Sequence, residues 1–364
     1  MYNENLIIPG NTGLQSEPPT DPRDYVLGSG TLGNLVNDVD NILRGRPVIF
    51  IDGHGWQTYS PSLSFQKMSN GDSNGCVTFS CSHGWEYQCD YYQKNDLQIY
   101  DLMGKLNFLD INGKVNINKS IVYVGSQTDP NAGNTVSNVV NWINKKGIAN
   151  QSARNWDNTW TKEQFNTPLN QSEIDAGNES LKYFSFEHEW LPNSSGYLHS
   201  PAQIIEALKF SVVRISVDGR YFKDANGLVT IEPNPNAIEG FVAYSHSVTL
   251  IDYKLNEYWL IHDHYTNQFV YFRWDYPFAF GKVFFLKKKV MFRIIKTSTS
   301  PACYLHCLSS GHLFGIADGD EVNGAELLKS FSGNYANANI TVVSQEEFAT
   351  YQIKGNIQTV LFNK

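Results

Sequence analysis

The stretch N-G-D-S-N-G-C-V-T-F-S, residues 70–80, is the part of the chain that decides the fold. Small, turn-forming residues lead to Cys76, and the mostly apolar or small residues after it predict a buried helix beginning at or near this cysteine. At a helix N-terminus, unpaired backbone N–H groups and the positive end of the dipole favour a thiolate and can donate to an oxyanion. A lone cysteine is more often part of a hydrophobic core, so this stretch alone favours a core position.

Two strands far downstream supply the partners that a catalytic thiol needs. Residues 244–253 alternate and include β-branched side chains, which predicts a strand with His246 near its start. A polar turn at 254–257 follows, and residues 258–263 predict the returning strand with Asp263 at its end. Such a hairpin brings the histidine and the aspartate together on one face. A base that activates a thiol, oriented by a third group, is the generalised catalytic triad.

These segments resemble the motifs of the papain-like cysteine peptidases. Residues 76–80 match the helix start of that family, 246–248 match its histidine strand, and Asp263 stands where it has an asparagine after a Tyr-Trp strand. Two flanking patterns also fit: a helix at 204–209 before a strand at 212–217, and 131–134 before a helix at 136–145. The resemblance covers residues 66–286, and the order Cys, His, Asn/Asp makes it fairly specific.

The resemblance implies an α+β, papain-like fold with a helical lobe and a β-rich lobe. It also implies a peptidase that cuts peptide or isopeptide bonds: Cys76 attacks the carbonyl, His246 carries the proton, and Asp263 fixes the imidazole. The family's oxyanion-hole glutamine lies six residues before the nucleophile, where this chain has Asn70. Gln66 is the other candidate for that role, if the turn is longer.

Departures from the family pattern keep a second interpretation open. Val77 replaces the tryptophan that usually follows the nucleophile, and His264 and Tyr265 stand where a shielding tryptophan is usual. Ser73 replaces a cysteine of the usual disulfide. These losses fit a drifted but working enzyme. They also fit an inactive structural or binding protein of the same fold, such as a phage virion or surface component.

The composition excludes several other classes of protein. The 364 residues are 41% hydrophobic and 18% charged, with a net charge of −8, so no nucleic-acid partner is expected. We find no apolar run typical of a signal peptide or a membrane span, and expect a cytoplasmic protein or one incorporated in a virion. Five unevenly spaced cysteines do not indicate a disulfide framework.

No cofactor is expected, and the spacing of candidate ligands predicts no metal site. His54 lies in the turn 52–55 with no second ligand at usable spacing. Cys303 and Cys307 form a Cys-x3-Cys pattern without a second pair, and alternate positions along a β-strand explain it better.

The chain is long for one domain, and we expect three parts. Residues 1–24 form an extended arm rich in proline, and 25–286 form the papain-like domain with an insertion at about 26–69. Residues 290–364 form a small α+β module after a run of lysines. Inside the domain, residues 47–51 predict a strand, and 150–180 predict a long surface loop.

The C-terminal module has a weaker resemblance of its own. Its Ser-Pro-Ala-x-Tyr-Leu strand at 300–305 and a late turn at 341–348 resemble a short module of bacterial surface proteins and phage virion proteins. That resemblance implies attachment to a larger assembly. The expected partner of the main domain is a polypeptide substrate or another protein.

Overall fold

A computed structural model describes residues 46–62, 64–191, 198–231, 244–265 and 268–288, and the backbone alone of residue 98 and of 292–297, 303–307, 313–316 and 338–343. The chain divides into two compact units, Met1–Ser180 with Phe186–Leu286, and Leu181–Ser185 with Lys287–Lys364. The arm predicted at 1–24 and residues 26–45 of the predicted insertion lie outside the described residues. None of the described helices is both long and apolar enough to cross a membrane.

The helical part of the chain is built around one central helix. It contains α1 (Cys76–Asn95), α2 (Leu97–Lys105), α3 (Lys119–Gly125), α4 (Val136–Lys146), α5 (Lys162–Phe165) and α6 (Gln171–Leu181). The 20 residues of α1 span about 30 Å at about 1.5 Å per residue. Every residue of α1 from 76 to 90 is buried. Because the helix is covered on all sides, its sequence lacks the apolar stripe of a surface helix.

The strand-rich part is an eight-stranded sheet in the order β3-β10-β4-β7-β8-β9-β6-β5. Its strands are β3 (Phe184–Trp190), β4 (Val213–Asp218), β5 (Phe222–Lys223), β6 (Val229–Thr230), β7 (Tyr244–Lys254), β8 (Tyr258–Asp263), β9 (Gln268–Arg273) and β10 (Ala279–Lys288). Helix α7 (Pro201–Leu208) precedes β4 and begins with a capping box between Ser200 and Gln203. A small hairpin of β1 (Lys67–Met68) and β2 (Gly71–Asp72) lies just before α1.

Helix α1 and the sheet approach each other closely at a glycine. A Cβ atom added to Gly84 would lie 2.1 Å from the ring of Phe284 on β10, so only glycine lets this ring reach the helix. Strand β7 continues the contact through Ser247, whose hydroxyl lies 2.6 Å from that of Ser80. The first turns of α1 are therefore held against the strand that carries His246.

The second unit contains a separate four-stranded sheet. Its strands are β11 (Phe292–Thr297), β12 (Cys303–Cys307), β13 (Leu313–Ile316) and β14 (Ala338–Val343), in the order β13-β12-β11-β14. All three pairings are antiparallel. The strand that was expected to explain the Cys-x3-Cys spacing is present. Residues 317–337 and 344–364 of the predicted module lie outside the described residues.

The predicted α+β class is confirmed, with its helices before the main strands of the sheet. The strand predicted at 47–51 is wrong. The N–H groups of Ile49 and Phe50 both donate to the carbonyl of Lys209, and the segment forms no hydrogen-bond ladder with a neighbouring strand. The loop predicted at 150–180 is wrong as well, since it holds α5 and most of α6.

Capping residues explain why helices form in the segment predicted to be a loop. Thr161 and Gln164 make a reciprocal capping box at the start of α5. Asn170 does the same for α6: its side chain accepts from the N–H of Glu173, whose carboxylate accepts from the N–H of Asn170. The polar composition that indicated a loop is therefore in part a pair of helix starts.

Candidate active site

Cys76 occupies the first position of α1. Gly75 is the N-cap and offers no capping side chain, and the first turn has no acidic residue, so the positive end of the helix dipole faces the thiol uncompensated. The loop before it is fixed from two sides. The hydroxyl of Ser73 donates to the carbonyl of Gln66 at 2.8 Å, and Tyr123 donates to the carbonyl of Ser73 at 2.7 Å. The cysteine is thus positioned by a supported turn.

The turn itself depends on Asn74, whose φ is 55°. Asparagine tolerates this left-handed conformation better than most residues. Its side-chain amide donates to the carbonyl of Pro130 at 2.7 Å, and its N–H donates to Asp72 Oδ1 at 2.9 Å. These bonds turn the chain sharply into α1.

His246 and Asp263 meet across the β7–β8 hairpin. His246 Nε2 lies 2.9 Å from Asp263 Oδ1, and both side chains are fully buried. The same carboxylate oxygen accepts the N–H of Tyr265 at 3.0 Å, which fixes its orientation. The other ring nitrogen of His246, Nδ1, has no nitrogen or oxygen partner among the described residues, and the thiol of Cys76 interacts with the imidazole. The structure therefore brings Cys76, His246 and Asp263 together in the expected order.

His246 and Asp263 each change the pKa of the other. Burial alone would lower the pKa of His246, but the charge and hydrogen bond of Asp263, with a smaller contribution from Cys76, raise it to about 10. Burial alone would raise the pKa of Asp263, but His246 holds it at about 2. At neutral pH the pair is therefore an imidazolium and a carboxylate.

The structure places Asn70 at the exposed turn between β1 and β2. Its amide nitrogen donates to Glu163 at 3.0 Å, and its amide oxygen accepts from the N–H of Lys162 at 2.8 Å. Both ends of the amide thus bind α5, because the hairpin carries Asn70 away from the start of α1. The structure does not bring Asn70 together with the other predicted site residues.

Gln66, the alternative candidate, lies just before the β1–β2 hairpin. It is fully buried, and its backbone N–H donates to the carbonyl of His264 at 3.1 Å, directly after the triad aspartate. Its side-chain amide donates to Asp72 Oδ1 at 2.8 Å. The β1–β2 hairpin accounts for the longer turn that the sequence analysis left open, because it inserts between Gln66 and Cys76.

Tyr221 is a site residue that the sequence analysis missed. It follows β4, its ring lies 6.3 Å from that of His246, and the charge of Asp263 acts on its hydroxyl, which has no hydrogen-bond partner among the described residues. Burial raises the pKa of Tyr221, and the Asp263 carboxylate raises it further. With the ring of Tyr265, 6.5 Å from His246, it supplies aromatic cover near a triad that lacks the usual tryptophan. No motif surrounds Tyr221, so no sequence signal pointed to it.

Three more buried histidines lie behind His246. The rings of His83 and His262 stack at 4.7 Å, His83 meets His264 at 5.6 Å, and His264 meets His246 at 5.5 Å. Tyr87 lies 3.0 Å from His262 Nδ1. Burial lowers the pKa of His83 and of His264 well below the usual range, so both rings are neutral at physiological pH.

No protein-family model matches the chain, and no curated protein matches it either. Among solved structures, it is similar to xylellain, a cysteine protease from Xylella fastidiosa, at 11% identity over 76% of this chain and 96% of that one, with a TM-score of 0.44. It is also similar to bromelain from Ananas comosus, at 12% identity over 65% of this chain and 97% of that one, with a TM-score of 0.39. A third similar structure is procathepsin B S9 from Trypanosoma congolense, at 10% identity over 68% of this chain and 80% of that one, with a TM-score of 0.40. These are papain-like cysteine proteases, the fold named from the sequence motifs. The likeness assigns no activity to this chain.

Proposed function

We propose that the protein is a papain-like cysteine peptidase that hydrolyses peptide or isopeptide bonds. The observation that carries this proposal is the 2.9 Å contact between His246 Nε2 and Asp263, which leaves Nδ1 for the Cys76 thiol. A nucleophile, a base within its reach and a group that orients the base are what thiol catalysis requires. The position of the nucleophile at the N-terminus of α1 adds backbone donors for an oxyanion.

The proposed reaction begins with the proton of Cys76 on the imidazole of His246. The thiolate attacks the carbonyl carbon, and the carbonyl oxygen becomes an oxyanion held by the Cys76 N–H and a side-chain amide. The imidazolium then donates its proton to the amine, which leaves, and a thioester forms on the sulfur. Water attacks the thioester with His246 as base, which releases the acid and restores the thiol.

Gln66 is the better candidate for the side-chain donor of the oxyanion hole. Its side-chain amide donates to Asp72 Oδ1 at 2.8 Å, which fixes the orientation of the amide, whereas the amide of Asn70 is exposed and bound to α5. We expect Gln66→Ala to lower kcat by about 10²–10³-fold with little change in KM. The matched control is Asn70→Ala, which removes an exposed amide bound to α5. Steady-state kinetics in which Asn70→Ala loses more than Gln66→Ala would reverse the assignment.

The activity is tested by thiol labelling and hydrolysis together. Cys76, Cys81 and Cys89 are equally buried and all lie on α1, so burial alone predicts equal reactivity. We expect iodoacetamide to modify Cys76 faster than the other two at neutral pH, because the helix terminus and the imidazolium stabilise its thiolate. The labelled protein and Cys76→Ala should both fail to hydrolyse a generic peptide substrate. Equal labelling of the three cysteines, measured by peptide mapping, would count against a catalytic thiol.

An inactive papain-like structural or binding protein is the second candidate. The observation that favours it is the burial of Cys76 and His246, both 0% exposed, because a substrate reaches the thiol only after the surrounding chain moves. In this case the labelling of Cys76 would be no faster than that of Cys81. Attachment of the C-terminal module to a larger assembly remains a prediction in either case.

A further inference from the structure

His264 stands out among the buried polar groups of the site. Its side chain is fully buried, and neither of its ring nitrogens has a hydrogen-bond partner in the part of the chain that the structure describes. By contrast, Tyr87 satisfies one nitrogen of His262, and Ser64 lies 3.0 Å from one nitrogen of His83. Because a buried polar group without a partner is unfavourable, each such group requires an explanation, and an unseen ion is one.

The atoms around His264 have the arrangement of a metal site. One ring nitrogen of His264, one of His246 and one carboxylate oxygen of Asp263 all lie within 4.8 Å of one another. Tetrahedral zinc, with bonds of about 2.0–2.2 Å, holds its ligand atoms roughly 3.3–3.6 Å apart. Zinc binding therefore requires the most distant of these atoms to move closer by up to roughly 1.5 Å.

The donor set also fits a particular class of cation. Two imidazoles and one carboxylate are typical ligands of zinc and related divalent transition metals, and alkaline-earth ions prefer oxygen alone. Asp263 supplies a negative charge. Lys119 acts on His264 with a positive charge, and this lysine forms an ion pair with Glu86.

We propose that His246, Asp263 and His264 form a binding site for a divalent transition metal ion of the zinc type, and that the bound ion switches the peptidase off. The inhibition by the bound ion rests on the proposed function. If the ion binds Nδ1 of His246, it takes the place of the thiol proton. If it binds Nε2, Nδ1 keeps its own hydrogen and cannot accept one from Cys76. Either way, the imidazole no longer acts as the base.

The sequence analysis predicted no metal site because it weighed ligand spacing along the chain. His264 follows Asp263 directly, and His246 lies on the preceding strand, so the three form no spacing motif. The site arises because the chain turns at His264 and sends its ring back towards β7 and α1, where it stacks on Phe79 with ring centroids 5.8 Å apart.

The test is titration of the full-length protein with zinc chloride by calorimetry, with bound metal counted by elemental analysis. We expect one ion per chain in the wild type and in Cys76→Ala. His264→Phe, which keeps a ring against Phe79, should bind at least tenfold more weakly, since loss of even an outer-shell partner costs about 10–100-fold. His264→Asn is a second variant in case the first does not fold, and circular dichroism checks both.

Three results would overturn the metal site. The first is no zinc binding by the wild type. The second is unchanged binding by the His264 variants. The third is loss of binding in Cys76→Ala with retention in His264→Phe, which would place the ion on the thiolate and imidazole instead. Calorimetry needs no turnover, so a protein that binds zinc but hydrolyses no peptide even in a metal-free buffer with a chelator would refute the proposed function and leave the site intact.

Discussion

Replacing Asp263 by alanine should lower kcat/KM on a peptide substrate by about 10²–10⁴-fold, the usual range for a positioned general base. The change removes the 2.9 Å contact that holds His246 Nε2 and leaves that nitrogen buried without its acceptor. The ring can then turn away from Cys76. The experiment is steady-state kinetics in a buffer with a chelator, so that metal binding does not contribute. Activity within a few fold of the wild type would remove Asp263 from the site.

Asp263→Asn separates the charge of the carboxylate from its hydrogen bond. Burial lowers the pKa of His246, and the charge and hydrogen bond of Asp263, with a smaller contribution from Cys76, raise it to about 10. An amide still accepts a hydrogen bond but carries no charge, so the pKa of His246 should fall. The active ion pair exists only below that pKa, and the alkaline limb of the pH–rate profile should therefore move to lower pH. Superimposable profiles for the wild type and Asp263→Asn would show that the carboxylate charge plays no part.

Lys119→Met should lower the free energy of unfolding by roughly 3–5 kcal/mol, the usual cost of breaking a buried ion pair. Lys119 and Glu86 are both fully buried and pair with each other behind the site. Burial already raises the pKa of Glu86, and Lys119 opposes that rise. Without the lysine, the carboxylate is left buried with the N–H of Ile117, 2.7 Å away, as its remaining donor.

The control for this prediction is the double variant Lys119→Met with Glu86→Gln. Its amide oxygen can still accept from Ile117 but needs no opposite charge, so it should recover a large part of the loss. The loss in Lys119→Met should also grow as pH rises above the usual carboxyl range, because the folded protein then keeps a proton that the unfolded chain releases. Urea unfolding at several pH values measures both effects. A loss that is independent of pH would mean that the methionine is simply packed badly.

The three residues proposed as catalytic could be picked out from the sequence because each belongs to a local pattern. Cys76 follows a turn-forming stretch and starts a helix, and His246 and Asp263 lie on the two strands of one hairpin. Gln66 was only an alternative, because β1 and β2 have two residues each and give no periodic signal. Tyr221 comes from a connection outside any motif, and only the folded chain shows that the charge of Asp263 acts on it.

Some of the helices and strands that the sequence analysis did not predict nevertheless have a local sequence signal. The capping residues of α5 and α6 were present, but a lack of apolar periodicity in 150–180 outweighed them. Strand β3 alternates apolar and polar residues and could have been predicted. Strand β10 is harder, because Phe280 has a φ of 53° and the pairing with β4 shifts register there, which breaks the alternation.

His246 and Asp263 lie close together along the chain, whereas Cys76 lies far from both. His246 and Asp263 are 17 positions apart in one hairpin, so their contact closes a short loop, a step of microseconds in isolated hairpins. Cys76 belongs to the other part of the unit and meets them only when distant segments pair, which is slow. During synthesis Cys76 leaves the ribosome long before His246 has been added to the chain. The Cys76 thiol of the nascent chain therefore has no imidazole beside it until the domain is nearly assembled.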